Sequence, residues 1–309
     1  MSERILAGYS PESLDRGPVD FAAAAARLTG AAVTVAVVHP GGSHVDRLAG
    51  GEFGHEATAD GRDTGEELVA ELRAAGLDAE VRAVEHSTPA RGLADAIEAV
   101  QPSLVVLGSG EGGRMGGTAE RIVHGAPCAV AVVPHGFRPG DGPRVIGAAY
   151  APSAEGGEAL RTAARLAAVA GGRVRAVMAL SPKHAGEQSP GLMAAAHHDR
   201  NVGEDIEARH KMDAQDALAA AIAEHAAGVE VETDILYQPP AQALVAASGN
   251  LDLLVMGSRA YGPIRSVVLG GVSHRVMAEA ACPVLVLPRG AERGLDQILG
   301  AAESQAAGG

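Results

Sequence analysis

Between Gly257 and Ser273 the chain reads Gly-Ser-Arg-Ala-Tyr-Gly-Pro-Ile-Arg-Ser-Val-Val-Leu-Gly-Gly-Val-Ser, a glycine-punctuated loop with two arginines and no carboxylate. Glycines let main-chain amides approach an anion. The positive end of a following helix, equivalent to about half a charge, then stabilises it. This is the chemistry of polyphosphate binding, and the candidate residues are Gly257, Arg259, Gly262, Arg265, Gly270, Gly271, Val272 and Ser273, with Arg275 adding to the basic field. An earlier stretch, Gly108 to Gly125, is a shorter copy in which Glu111 and Glu120 offset Arg114 and Arg121. Glycines between a strand and a helix also occur for close packing alone, and that alternative stays open for both loops.

The two loops belong to an internal duplication. Leu104-Val-Val-Leu-Gly-Ser109 returns as Leu253-Leu-Val-Met-Gly-Ser258, and the apolar run around Cys128 returns around Cys282. The glycines Gly108 and Gly257 are 149 positions apart and the cysteines 154, so the second loop is five residues longer. Short Val/Leu/Ile/Ala runs alternate with alanine-rich helical stretches, the pattern of a buried parallel sheet. Strands are expected near 3–8, 32–38, 79–84, 103–107 and 128–133, with helices near 12–28, 64–75, 89–100 and 117–125. The second repeat places strands near 144–149, 173–180, 229–236, 252–256 and 283–287, with helices near 155–170, 203–227, 240–249 and 271–280. The fold class is therefore α/β: two repeated doubly wound domains, each a five-stranded mainly parallel sheet with helices on both faces. Ligand crevices are expected at the carboxyl ends of the strands. The expected boundaries are 1–136 for the first domain, 137–143 for a Pro/Gly-rich linker, 144–290 for the second domain and 291–309 for a flexible tail. Residues 39–63 and 181–202 read as irregular insertions.

Length and charge narrow the function. The chain has 309 residues, enough for two cores. A net charge of −13 opposes nucleic acid and anionic membranes, and an aromatic content of 2% removes base stacking. No apolar run suits a membrane span and no signal layout opens the chain, so a cytoplasmic location is expected. Cys128 and Cys282 read as small core residues.

On these residues the chain resembles the universal stress protein family in its tandem form, over essentially its whole length. The resemblance implies a five-stranded domain of the adenine-nucleotide alpha hydrolase type, with a stress-sensing role. It also implies ATP bound by Gly-x2-Gly-x9-Gly-[Ser/Thr] between the fourth strand and the last helix. Gly257 and Gly270 stand at the first and third glycines, whereas Ala260 replaces the second and Gly271 the hydroxyl residue. Losing that hydroxyl removes roughly 1.5–3 kcal/mol if it bonds phosphate. Ala260 costs about 1–2 kcal/mol if its backbone must be left-handed, although Gly262 is placed to move the turn. Family members that bind ATP carry an aspartate just after strand one; Gly8-Tyr-Ser-Pro11 and Ala149-Tyr-Ala-Pro152 offer none there. The expectation is weak ATP binding in the second domain and none in the first.

Other residues suggest less. His39, His44 and His55, and His184, His197, His198 and His210, lack metal-ligand spacing and read as solvated loop histidines, so no metal is expected. Ser10 and Ser153 read as helix caps. No catalytic motif appears. Three functions stay open: a regulatory module with a weak adenine-nucleotide site, a slow ATPase clamping phosphate with Arg259 and Arg265, and a partner-binding protein with both crevices empty. The apolar last strands suit edge pairing, as a pseudo-dimer of the two domains or as a homodimer of chains, and an unknown protein partner is expected besides.

Overall fold

The computed structural model describes residues 3–39, 52–110, 115–140, 142–180, 200–258, 270–288 and 292–306. Strands and helices alternate through both repeats, as the apolar periodicity requires. The first half comprises β1 (Arg4–Tyr9), α1 (Gly17–Thr29), β2 (Ala32–His39), α2 (Glu52–Ala74), β3 (Ala79–Glu85), α3 (Pro89–Val100), β4 (Leu104–Gly108), α4 (Gly117–Gly125) and β5 (Ala129–Val133). The second comprises β6 (Val145–Tyr150), α5 (Ala154–Ala170), β7 (Arg173–Ala179), α6 (Arg200–His225), β8 (Val231–Leu236), α7 (Pro240–Ser248), β9 (Leu253–Gly257), α8 (Gly271–Glu279) and β10 (Val284–Leu287), followed by α9 (Glu292–Ala306).

All ten strands form one sheet in the order β3-β2-β1-β4-β5-β10-β9-β6-β7-β8. Every neighbouring pair is parallel except β5 and β10, which run antiparallel and join the halves. Strand order reverses beside β1 and beside β6, so each half has a switch point: β1/β4 in the first, β6/β9 in the second. Alternate strand residues feed two cores. Val33, Val35, Leu104 and Val106 face α1, α2, α5, α6 and α9. Leu6, Val105, Leu107 and Leu254 face α3, α4, α7 and α8. Aliphatic side chains and alanines fill both layers, which lets the helices lie close to the sheet.

The first crossover helices are capped by local sequence. Pro18 stands in the first turn of α1, and Gly30, at φ 72°, closes its end by donating to Ala26 O. Ser153 caps α5 by accepting from Gly156 N at 3.2 Å, as expected, and Gly171 ends the helix at φ 65°. Ser10 does not cap α1, which starts seven residues later; its carbonyl accepts from Ser13 instead.

Three expectations change. The supposed irregular insertion 39–63 is helical from Glu52 onward, because α2 is 23 residues long and packs its Leu68, Val69 and Leu72 on the sheet. The tail is no frayed end: α9 buries Leu295, Ile298, Leu299 and Ala302, an i, i+3, i+4, i+7 stripe, against α1, α5 and β5. Arg165 on α5 holds α9 by contacting both Asp296 and Glu303, the latter at 2.7 Å. Third, His39 is buried at the end of β2, with its Nδ1 unpartnered, rather than solvated in a loop. His44, His184, His197 and His198 lie outside the described residues, as does the side chain of His55, while His210 is part-buried on α6.

Candidate functional site

The carboxyl ends of β9 and β6 and the start of α8 frame the second crevice. Of the eight candidate residues, Gly257, Gly270, Gly271, Val272 and Ser273 are described, while Arg259, Gly262 and Arg265 lie outside the described residues. Gly257 ends β9 for a packing reason: a Cβ there would lie 2.6 Å from Glu155 Cβ and 2.7 Å from Glu155 O. The first turn of α5 thus rests directly on the strand end, a closeness that only glycine allows. The next residue, Ser258, is 1% exposed; its N–H donates to Leu287 O at 2.9 Å, and its Oγ is buried without a partner.

Gly270 and Gly271 differ from Gly257. Neither would meet anything within 4 Å if it carried a Cβ, and Gly270 has φ −69°, open to any residue. Gly270 is the N-cap of α8 and offers no side-chain cap, no acid stands in the first turn, Val272 is exposed and Ser273 is buried. Among the described residues nothing caps these amides, and the positive end of the helix dipole lies behind them. Arg275 does not add to that field, because its guanidinium pairs with Glu279 at 3.0 Å along the helix.

The start of α4 is as uncrowded by the same measure, since a Cβ on Gly117 would meet nothing within 4 Å and one on Gly116 only Ser109 O at 3.9 Å; the first half differs at Gly108, beside which the chain places a carboxylate of its own. Asp15, 8% exposed in its side chain, accepts from Gly17 N at 3.0 Å and Gly136 N at 3.2 Å, and its Oδ2 faces His135 Nδ1 at 3.3 Å. A Cβ on Gly108 would lie 3.6 Å from Asp15 Oδ2, so the carboxylate sits beside the glycine that opens the loop. Gly8-Tyr-Ser-Pro11 itself carries no carboxylate at the end of β1, but the loop 10–16 folds Asp15 back beside Gly108. Phe137 packs edge-on to Phe21 with ring centroids 6.1 Å apart, and Arg138 reaches Asp20 at 3.5 Å, so the segment after β5 is strapped across the start of α1. The glycine loop is pinched as well. Gly116 N donates to Ser109 O at 2.8 Å, and Glu120 stands in the first turn of α4.

Burial raises the Tyr9 phenol beside Asp15, with Arg16 opposing. Burial also pushes the Cys128 and Cys282 thiols up to about 12, as expected of core residues without reactivity. Among the described residues no group of three His, Cys, Asp or Glu side chains is placed to hold a metal ion. Likewise, no described helix is long and apolar enough to cross a membrane.

The universal stress protein family profile matches residues 1–134 and 143–288, one match for each half of the ten-stranded sheet. The chain belongs to the universal stress protein family. A universal stress protein of Thermus aquaticus is 36% identical over 129 residues, covering 40% of this chain and 89% of the relative. One from Mycobacterium tuberculosis is 28% identical over 217 residues, 66% of this chain and 70% of the relative. Among solved structures, a universal stress protein from Archaeoglobus fulgidus superposes with a TM-score of 0.61 at 21% identity, covering 94% of this chain and all of that one. A putative universal stress protein from Pseudomonas aeruginosa gives 0.64 at 17% identity over 98% of both chains. At such identities the likeness bears on the fold, and both structures span the tandem arrangement. Asp15 is the crevice neighbour that sequence reading missed; only its return across a seven-residue loop reveals it.

Proposed function

We propose that this universal stress protein is a regulatory binding module whose second half holds an adenine nucleotide weakly and whose first half holds none. The observation that carries the reading is the contrast between two equivalent helix starts. Neither start is capped by a side chain, but that of α8 is free of acid in its first turn, whereas α4 has Glu120 in its first turn and the first half sets the Asp15 carboxylate beside Gly108. Phosphate would bond the amides of Gly271, Val272 and Ser273, with Arg259 and Arg265 supplying charge from the loop before them. The changes at Ala260 and Gly271 keep the affinity low.

Calorimetric titration of the intact chain with ATP and AMP tests this. The expected result is at most one site, abolished by Arg259→Glu and by Gly271→Glu, which places a carboxylate where the phosphate would lie. Two equal sites would overturn it. A second reading is a partner-binding protein with both crevices empty, favoured by the tight seat of Glu155 on Gly257; no heat at millimolar nucleotide is its signature.

A further inference from the structure

The seam between the halves contains an asymmetry that neither half shows alone. Residues 116–134 align with 270–288 without a gap, and the antiparallel register pairs Val130 with Val286, Ala131 with Leu285 and Val132 with Val284. Ala131 and Leu285 are equivalent positions of the two repeats, so the pseudo-two-fold axis passes between them. At such an axis each residue meets its own counterpart, as in any isologous interface. Here the counterparts differ: a small side chain faces a large one, both buried in the core layer that α9 covers. On the opposite face of the sheet the same axis relates Glu120 of α4 to His274 of α8. These are again equivalent positions, and they approach to 3.7 Å between Glu120 Oε1 and His274 Nε2.

The geometry points to a pairing code in these two positions: the first half's β5/α4 edge fits a partner edge of second-half type and rejects a copy of itself. Two first-half edges would bring Ala131 against Ala131, leaving a void, and Glu120 against Glu120, two like charges in contact. Two second-half edges would crowd Leu285 against Leu285 and set His274 against His274. Directly opposed side chains in an antiparallel pair lie about 4.5–5.5 Å apart at Cβ, close enough for each mismatch to be felt. Only the mixed pairing offers complementary volume together with an imidazole, rather than a second carboxylate, facing Glu120. The occupant of the first half's edge is therefore the second half of the same chain, in preference to the first half of another copy.

Two exchange cycles in the full chain, read as thermal midpoints, test the code. Leu285→Ala opens a cavity and Ala131→Leu crowds the seam, each lowering the midpoint by roughly 3–8 °C. The double exchange A131L/L285A restores it to within about 2 °C, the margin expected for volume-conserving repacking. His274→Glu sets two carboxylates together and lowers the midpoint by about 1–2 °C at low salt, less at high salt, because the pair is half-exposed. The double exchange E120H/H274E returns it to the parent value. Recovery in either cycle supports the code for that pair; losses that simply add in both cycles overturn it.

Discussion

The first crossover is built in two ways in this chain. Seven residues, 10–16, separate β1 from α1 in the first half, and three, 151–153, separate β6 from α5 in the second. The longer loop has enough reach to fold Asp15 back onto Gly108, where its carboxylate ties down the segment after β5. The shorter loop cannot fold back, and instead presses the first turn of α5 onto Gly257. The first glycine of each loop is thus used, in one half by an internal anion and in the other by helix packing. What remains different is the far end of the loop, where α8 has no acid in its first turn and α4 has Glu120. A glycine motif in a repeated domain accordingly needs its neighbours before it can be assigned: Gly257 has a packing duty and Gly270 and Gly271 have none.

The largest expected effect comes from the element without a counterpart in the first half. Ile298→Ala on α9 removes a fully buried side chain and costs roughly 2–5 kcal/mol, a fall of about 5 °C or more in the thermal midpoint. Arg165→Ala frees Asp296 and Glu303 together and moves the midpoint in the same direction by less, since the ion pairs are partly exposed. Calorimetric unfolding of both variants checks the order. If Ile298→Ala were silent, α9 would be an appendage and the second half would need no cover.

The next test addresses the glycines directly. Gly257→Ala forces Glu155 backbone to move and costs about 1–3 kcal/mol, whereas Gly108→Ala meets neighbours no nearer than 3.5 Å and is close to neutral. Denaturant midpoints of the two variants sharpen the comparison. Equal losses would break it.

The parts of this arrangement that were legible in the sequence are those set by local pattern. Strands such as Val33–Val37 and Val130–Val133 announce themselves by continuous apolar runs, and both repeats align because their cores repeat. Ser153 and Gly171 signal a helix start and stop by residue type alone. Asp15 was hidden because its role depends on a loop returning through space, not on its distance from β1 in sequence. Arg275 counted as a free charge until its neighbour one turn on, Glu279, was seen to take it. The helical nature of residues 52–63 is masked by Gly54, Gly61 and polar residues, and the tail, which offers a short helix by its pattern, conceals the packing of α9 behind small residues at its end. In each case packing overrode a weak local signal.

A smaller effect concerns ligand affinity. Val272 is exposed in the first turn of α8, which holds no acid. Val272→Asp is therefore expected to weaken ATP binding by about three- to tenfold, the order of one added repulsion of roughly 1 kcal/mol. Asp15→Asn leaves nucleotide binding unchanged, because the pinched first loop stays pinched through Ser109 and Gly116. Titrations of both variants decide whether the asymmetry in charge or the asymmetry in loop closure governs; a new site in the Asp15 variant would favour charge.

The smallest expected signal is a pair of near-zeros, informative because the two positions are equivalent. Cys128 and Cys282 lie just before β5 and β10, both buried, with thiols pushed up to about 12. At pH 8 the thiolate fraction of each is on the order of one in ten thousand, and burial removes access besides, so alkylation of the native protein should label neither. Any labelling must then pass through opening of the structure, and its rate at each cysteine reports how readily that half opens. Because α9 packs on α1 and β5 of the first half as well as on α5 of the second, it braces both, and Cys128 and Cys282 are expected to be modified at similar rates as denaturant is raised toward the transition; a clearly faster rate at either would show that half opening alone. Equal rates at all concentrations would show that the single ten-stranded sheet opens as one unit, which would make the two halves thermodynamically inseparable despite their different crossovers.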